Sequence, residues 1–236
     1  MKYLIIIPTY NEIENIGKIV GSINSTLKDN YDYSILIIDD SSTDGTKEAI
    51  EELKNYYKNV LTHHRKGKLG LASAYITGIK KGIELGYDCF VELDADFSHH
   101  PKYLPTMFEK LKNNDVVIGS RNINGGKSVG WGLIRTLISK GGSLYSKLIL
   151  NCPINDLTGG FNGWRREIIE KINLDKIISK GYSFQIEMKY RAYKKGAKIE
   201  EFPIIFIDRR FGKSKMSKAI FLEAMLNIIK IKFMEL

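Results

Sequence analysis

Cys89-Phe90-Val91-Glu92-Leu93-Asp94-Ala95-Asp96-Phe97-Ser98-His99 is the stretch on which a reading of this chain turns. Its first five residues are mostly apolar and of strand length, and they run into two carboxylates one residue apart. On an extended chain successive side chains alternate, so Asp94 and Asp96 are predicted to face the same side. Two carboxylates held together repel, and one pKa rises unless a cation shares them. Hard oxygen ligands suit Mg²⁺ or Mn²⁺, which keep several waters and bind substrate phosphates. Asp-x-Asp alone is a common surface turn, so its weight depends on the surrounding pattern.

That pattern is regular. Strand runs at Tyr3–Pro8, Ser34–Asp39, Cys89–Leu93 and Val116–Gly119 alternate with helical periodicity at Glu12–Leu27, Gly45–Tyr57 and Gly70–Leu85. Asp44-Gly45-Thr46 supplies an N-terminal cap for the second helix. The alternation implies an α/β fold with a mostly parallel, Rossmann-like sheet, whose ligands sit beyond the C-terminal ends of the strands. Three polar clusters fall there. Pro8-Thr9-Tyr10-Asn11-Glu12 follows the first strand, Asp39-Asp40-Ser41-Ser42-Thr43-Asp44-Gly45-Thr46 the second, and Asp94-Ala95-Asp96 the third.

The chain has 236 residues, enough for one domain with a proper core. A net charge of +9 leaves two readings: an anionic partner, or a Lys-rich solvated surface. Cys89 and Cys152 fit no metal spacing, and Cys89 reads as a packed free thiol in a reducing cytosol. The apolar start, Leu4 to Ile7, is too short for a leader, and no stretch of about eighteen apolar residues would span a bilayer. The expectation is a cytoplasmic protein or one lying on a membrane.

Between residues 116 and 155 the character changes. Arg121, Lys127, Arg135, Lys140 and Lys147 occur there without any Asp or Glu. From Trp131 to Leu150 apolar residues recur at helical spacing, read either as an amphipathic helix pair packed on the sheet or as a cationic surface for anionic lipid. Lys218 to Phe233 forms a second helical pattern, apolar around most of its circumference. A nucleic-acid binder would interleave aromatics with its cations, but this stretch offers only Trp131 and Tyr145, so no nucleic acid is expected.

The three clusters together resemble glycosyltransferase family 2 on a GT-A fold. Gly67-Lys68-Leu69-Gly70-Leu71, Gly119-Ser120-Arg121, Asp156-Leu157-Thr158-Gly159-Gly160-Phe161, Gly181-Tyr182-Ser183-Phe184-Gln185-Ile186-Glu187-Met188 and Asp208-Arg209-Arg210-Phe211-Gly212-Lys213-Ser214-Lys215-Met216 narrow the likeness to the dolichyl (polyprenyl) phosphate mannose synthases. That resemblance implies a catalytic domain over residues 1–215 and a C-terminal amphipathic helix over 216–236, part of the same domain or membrane-associated. It implies Asp94, Asp96 and Arg209 as catalytic residues, with Mg²⁺ or Mn²⁺ on Asp94 and Asp96. Some members carry a Gln as a further metal contact where this chain has Ser98. Donor binding is carried over to Pro8, Tyr10, Glu12, Asp39, Asp40, Lys68 and Lys215, and the acceptor phosphate to Arg121, Arg135 and Ser139.

The implied reaction is inverting transfer of mannose from GDP-mannose to polyprenyl (dolichyl) phosphate, peripheral to the cytoplasmic face of a membrane, directly or through a membrane-protein partner. The chemistry agrees with it. A leaving diphosphate needs cationic stabilisation. A lipid monophosphate is already anionic, so it needs no general base and a structural role suits Glu187. Transfer from a UDP-sugar such as UDP-glucose remains open. A nucleotidyltransferase would carry a Gly- and Arg-rich loop where this chain has Pro8-Thr9-Tyr10-Asn11-Glu12. Of the histidines only His99, beside the paired acids, is kept as a candidate. Trp131 and Trp164 read as core or rim packing.

Overall fold

Leu4 to Ile7 is continuously apolar, as suits a parallel strand covered on both faces. The structure, a computed structural model, describes residues 1–208 and 218–234. Its strands are β1 (Lys2–Thr9), β2 (Asp32–Asp39), β3 (Val60–His64), β4 (Cys89–Glu92), β5 (Val116–Ser120), β6 (Lys127–Val129), β7 (Asn162–Arg165), β8 (Ile199–Pro203) and β9 (Ile205–Ile207). Seven form one sheet in the order β3-β2-β1-β4-β7-β5-β8, parallel except for β7, which runs against both neighbours. β6 and β9 pair separately.

The helices are α1 (Ile13–Leu27), α2 (Thr46–Tyr56), α3 (Leu71–Glu84), α4 (Leu104–Leu111), α5 (Leu133–Leu150), α6 (Arg166–Ile172), α7 (Tyr182–Lys194) and α8 (Lys218–Lys232). Alternate residues of β1 feed two cores. Ile5 and Ile7 join Ile16, Ile50 and Phe108 of α1, α2 and α4. Leu4 and Ile6 join Ile79, Ile169, Met188 and Ile231 of α3, α6, α7 and α8. Gly78 and Gly82 let α3 lie hard on the sheet: an added Cβ would come within 2.5 Å of Ile6 and 2.6 Å of Leu4 and Phe90.

The structure corrects four expectations. β3 went unread because Val60-Leu61-Thr62-His63-His64 has only two apolar residues, as an edge strand tolerates, so the paired acids follow the fourth strand. β2, β1 and β4 are adjacent nonetheless, and the three clusters do share one edge. Asp94 and Asp96 do not lie on extended chain; β4 ends at Glu92 and Phe97 is left-handed, with φ 61°. The segment read as two helices is the single α5, which runs through Gly141-Gly142 and ends at left-handed Asn151. Without proline, two glycines lower helix propensity by about 1 kcal/mol each, which packing against α8 offsets.

Candidate active site

Backbone strain marks the three loops. Asn11, Ser41 and Phe97 each adopt positive φ, the first two within their clusters and Phe97 directly after the third; Lys28, Asn151 and Asn173, the other non-glycine cases among the described residues, all end helices. Such residues cost about 1–3 kcal/mol each and persist where the surroundings fix them. Cross-links do so here. The Asn11 amide donates to Ser42 Oγ at 2.9 Å, and Asn11 Oδ1 accepts from the Thr43 amide at 2.9 Å. Asp44 accepts from the Thr46 amide, capping α2 from one residue before its Gly45 N-cap, and also from the Ile13 amide that opens α1. Glu12 sits at the N-cap of α1, donates its amide to Thr46 Oγ1 and accepts from Asn15 Nδ2 at 2.7 Å. Pro8 lies half-buried in β1 opposite Ile38.

The paired acids after β2 are buried and held from inside. Asp39 accepts from the Ser42 hydroxyl at 2.5 Å and meets His64 Nδ1 at 3.1 Å, while His64 Nε2 lies 2.9 Å from Glu51. His64, not kept as a candidate from the sequence, is a β3 residue tied to two carboxylates. Asp40 accepts the amides of Leu69 and Gly70 at 3.1 and 3.0 Å and pairs with Arg65 at 3.0 Å. It thereby fixes the loop before α3, and this places the Lys68 ammonium 3.9 Å above the Tyr10 ring.

Asp94 accepts a hydrogen bond from the Tyr75 hydroxyl at 3.1 Å, and His99 Nδ1 lies 3.5 Å from its other oxygen. Asp96 accepts from the Ser98 amide at 3.0 Å. Ser98 is buried, and its carbonyl receives the Ile207 amide. His99 is stacked on Phe161, and burial pushes its pKa below the ordinary value. Two adjacent carboxylates suit a hard divalent cation, and Gly160 keeps space beside them: a Cβ there would sit 3.9 Å from Asp94 Oδ2. Among the described residues no cluster of three His, Cys or acidic side chains completes the set, so water and a ligand's oxygens would supply the remainder.

Two of the acceptor candidates, Arg121 and Arg135, connect to His99 through Phe206 and Trp131. Arg121 is buried; its backbone amide, Nε and Nη2 all donate to Asp156 at 2.7–2.8 Å, and Nη2 also reaches Thr158. Burial raises and Arg121 lowers the Asp156 pKa; the cation wins and holds it well below the carboxylate range. Arg135 lies 4.4 Å over the Trp131 ring and donates to Asp208 at 2.8 Å. Ser139 and Ser143 follow Arg135 at successive turns of α5, and the Ser143 hydroxyl bonds that of Thr158 at 3.0 Å. Rings connect the two halves: Trp131 packs on Phe206 at 5.0 Å, and Phe206 on His99 at 5.2 Å. Arg209 and Lys215 lie outside the described residues.

Residues 4–173 match the family model described as Glycosyl transferase family 2. The chain belongs to that family. This family 2 glycosyltransferase is 42% identical over 230 residues to an undecaprenyl-phosphate mannosyltransferase of Micrococcus luteus, covering 98% of this chain and 93% of the relative. It is 40% identical to a polyprenol monophosphomannose synthase of Mycolicibacterium smegmatis, covering 95% and 84%. Its fold is GT-A. Among solved structures it is similar to the Pyrobaculum calidifontis mannosyltransferase PcManGT in complex with GDP-Man and Mn²⁺, with TM-score 0.63, 15% identity and coverage of 90% and 58%. It also resembles Mycobacterium tuberculosis glucosyl-3-phosphoglycerate synthase with Mn²⁺, UDP-glucose and phosphoglyceric acid, at TM-score 0.66, 17% identity and coverage of 98% and 78%.

The sequence gives no sign of Tyr75 or Phe206 in this glycosyltransferase, and Thr158 stands in a quoted motif without a role of its own. Tyr75 and Phe206 occupy apolar-face positions like any core aromatic, and only the fold aims them at charged groups. Asp156 opens a quoted motif, but the contact that defines it spans 35 residues. Glu187 and Trp164 are buried in the core; Glu187 accepts the Ser179 amide and pairs with Arg191, in keeping with a structural role.

Proposed function

We propose that this glycosyltransferase moves mannose from GDP-mannose to a polyprenyl (dolichyl) phosphate, with inversion at the anomeric carbon. The observation that carries the reading is the ring-linked strip that runs from Asp94 through His99, Phe206 and Trp131 to Arg121 and Arg135. Both mannosyltransferase relatives, named for polyprenol-phosphate products or acceptors, support it. In this reading Tyr10, Lys68 and the Asp39–Asp40 loop receive the nucleoside diphosphate, with Arg209 and Lys215 as further diphosphate contacts. A divalent cation on Asp94 and Asp96, Mg²⁺ or Mn²⁺, would offset charge gathering on the leaving group. Arg121, Arg135 and Ser139 hold the acceptor phosphate, Arg121 being braced by Asp156.

One phosphate oxygen of the acceptor forms a bond to the anomeric carbon as the bond to the GDP oxygen breaks. The phosphate is already deprotonated, so no side chain takes a proton. Because the acceptor's tail stays in a bilayer, the enzyme works peripherally, at the cytoplasmic face where nucleotide sugars are supplied. Incubation with Mn²⁺ or Mg²⁺, labelled GDP-mannose or UDP-glucose, and a short polyprenyl phosphate tests donor and acceptor together. Label from GDP-mannose is expected in the organic phase; label only from UDP-glucose would replace the donor, and none from either would reject the reaction.

A further inference from the structure

We infer that Tyr75 is the positioning residue that aims the Asp94 carboxylate for the divalent cation, an inference that rests on the metal reading above. Its hydroxyl donates to Asp94 Oδ1 across 3.1 Å, while Oδ2 lies 3.5 Å from His99 Nδ1 and on the side of Gly160, where a Cβ would come within 3.9 Å of it. Asp94 needs such a hold. It lies beyond the end of β4, in a turn rather than a strand ladder, so the backbone alone leaves its side-chain torsions unset.

Tyr75 is built to supply that hold. It is buried in the first turns of α3, and its ring stacks parallel to Phe184 of α7 at 6.3 Å. Gly78, one turn on, brings α3 against Ile6 closely enough that any side chain there would collide. Asp40 and Arg65 fix the loop at the start of the same helix. The hydroxyl is thus presented by a ring with no freedom to swing, at the end of a helix seated on the strand beside β4. Residues that hydrogen-bond a metal ligand from behind typically set metal affinity by about 10- to 100-fold.

Tyr75→Phe removes the hydroxyl and keeps the ring, the stacking and the packing on α3. Mn²⁺ binding is read by the EPR signal of free Mn²⁺ during titration, with and without GDP, alongside circular dichroism and thermal melting. The expected result is a native spectrum and melting profile with Mn²⁺ bound about 10- to 100-fold more weakly. Activity of the variant is then expected to recover as Mn²⁺ is raised, which a general packing defect would not allow. Asp96→Asn is the companion. If Asp96→Asn weakens Mn²⁺ binding and Tyr75→Phe leaves it unchanged, the role of Tyr75 is overturned while the metal site stands. If neither variant moves it, the metal reading itself falls, and this inference with it.

Discussion

Asp96 tests the carboxylate pair without removing the group that accepts the Tyr75 hydroxyl of α3, which is Asp94. Asp96→Asn keeps the shape and the Ser98 hydrogen bond but removes a ligand charge. Loss of a few kcal/mol of charge stabilisation predicts activity lower by roughly 10²–10³-fold with the fold retained. Excess EDTA should abolish wild-type turnover, and Mn²⁺ or Mg²⁺ should restore it. Undiminished turnover under either condition would refute the assignment. Arg135 is half-exposed on α5, while Arg121 is buried against Asp156, so the two arginines differ as probes. Arg135→Ala should raise the apparent KM for lipid phosphate about tenfold or more, the loss of one charge-assisted contact, and leave that for GDP-mannose nearly unchanged. Equal effects on both substrates would contradict an acceptor role. Arg121→Ala would instead strand a buried carboxylate, so its kinetics would report on folding as well.

At the scale of elements, the loop from Asp156 to Gly160 is held by α7. Lys189, fully buried, donates to the carbonyls of Asp156, Leu157 and Gly159 at 2.8, 3.3 and 2.7 Å. Burial pushes its ammonium down to about 8, against the pull of Asp156 and Glu92. Asp156 therefore answers two buried cations, and removing its charge leaves both undercompensated. Asp156→Asn should cost about 3–5 kcal/mol at pH 7, measured by urea unfolding. The sign with pH follows from a folded pKa below the unfolded one. Its contribution is complete above the ordinary carboxylate value of about 4 and fades as pH falls below it. The gap between wild type and Asp156→Asn should accordingly narrow at pH 3. A gap that stays constant would show that the carboxylate acts through packing alone.

Over the whole molecule, α5 and α8 pack together, and both helices carry exposed apolar side chains. Leu137, Leu144 and Leu148 of α5 are 69%, 57% and 70% exposed, and Leu226 of α8 and Phe233 beyond it 60% and 82%. Lys140 lies on the exposed side of α5, and no helix among the described residues is long and apolar enough to cross a membrane. A lipid acceptor must be met at the headgroups, and each Lys or Arg near anionic lipid adds about 1 kcal/mol. Co-sedimentation with phosphatidylglycerol vesicles is expected at low salt and should weaken at high salt. Absence of binding at low salt, with turnover of a water-soluble short-chain acceptor intact, would point to recruitment by a membrane-protein partner.

The sequence by itself determined the α/β alternation, the convergence of the three clusters on one sheet edge, and the family, because these rest on local periodicity and on residues adjacent in the chain. Only the tertiary structure decided what each acid does. Asp39 and Asp40 look alike on paper, yet one is clasped by His64 from β3 and the other caps the loop into α3. β7 was hidden for a similar reason: Asn162-Gly163-Trp164-Arg165 has no apolar run, and its place between β4 and β5 follows from a fit to strands distant in the chain. Tyr75, Asp156 and Lys189 acquire their roles from partners 19 to 35 residues away. Short-range pattern carries hydrophobic phase and turn chemistry, but a buried charge is defined by whatever the fold brings to within 3 Å of it.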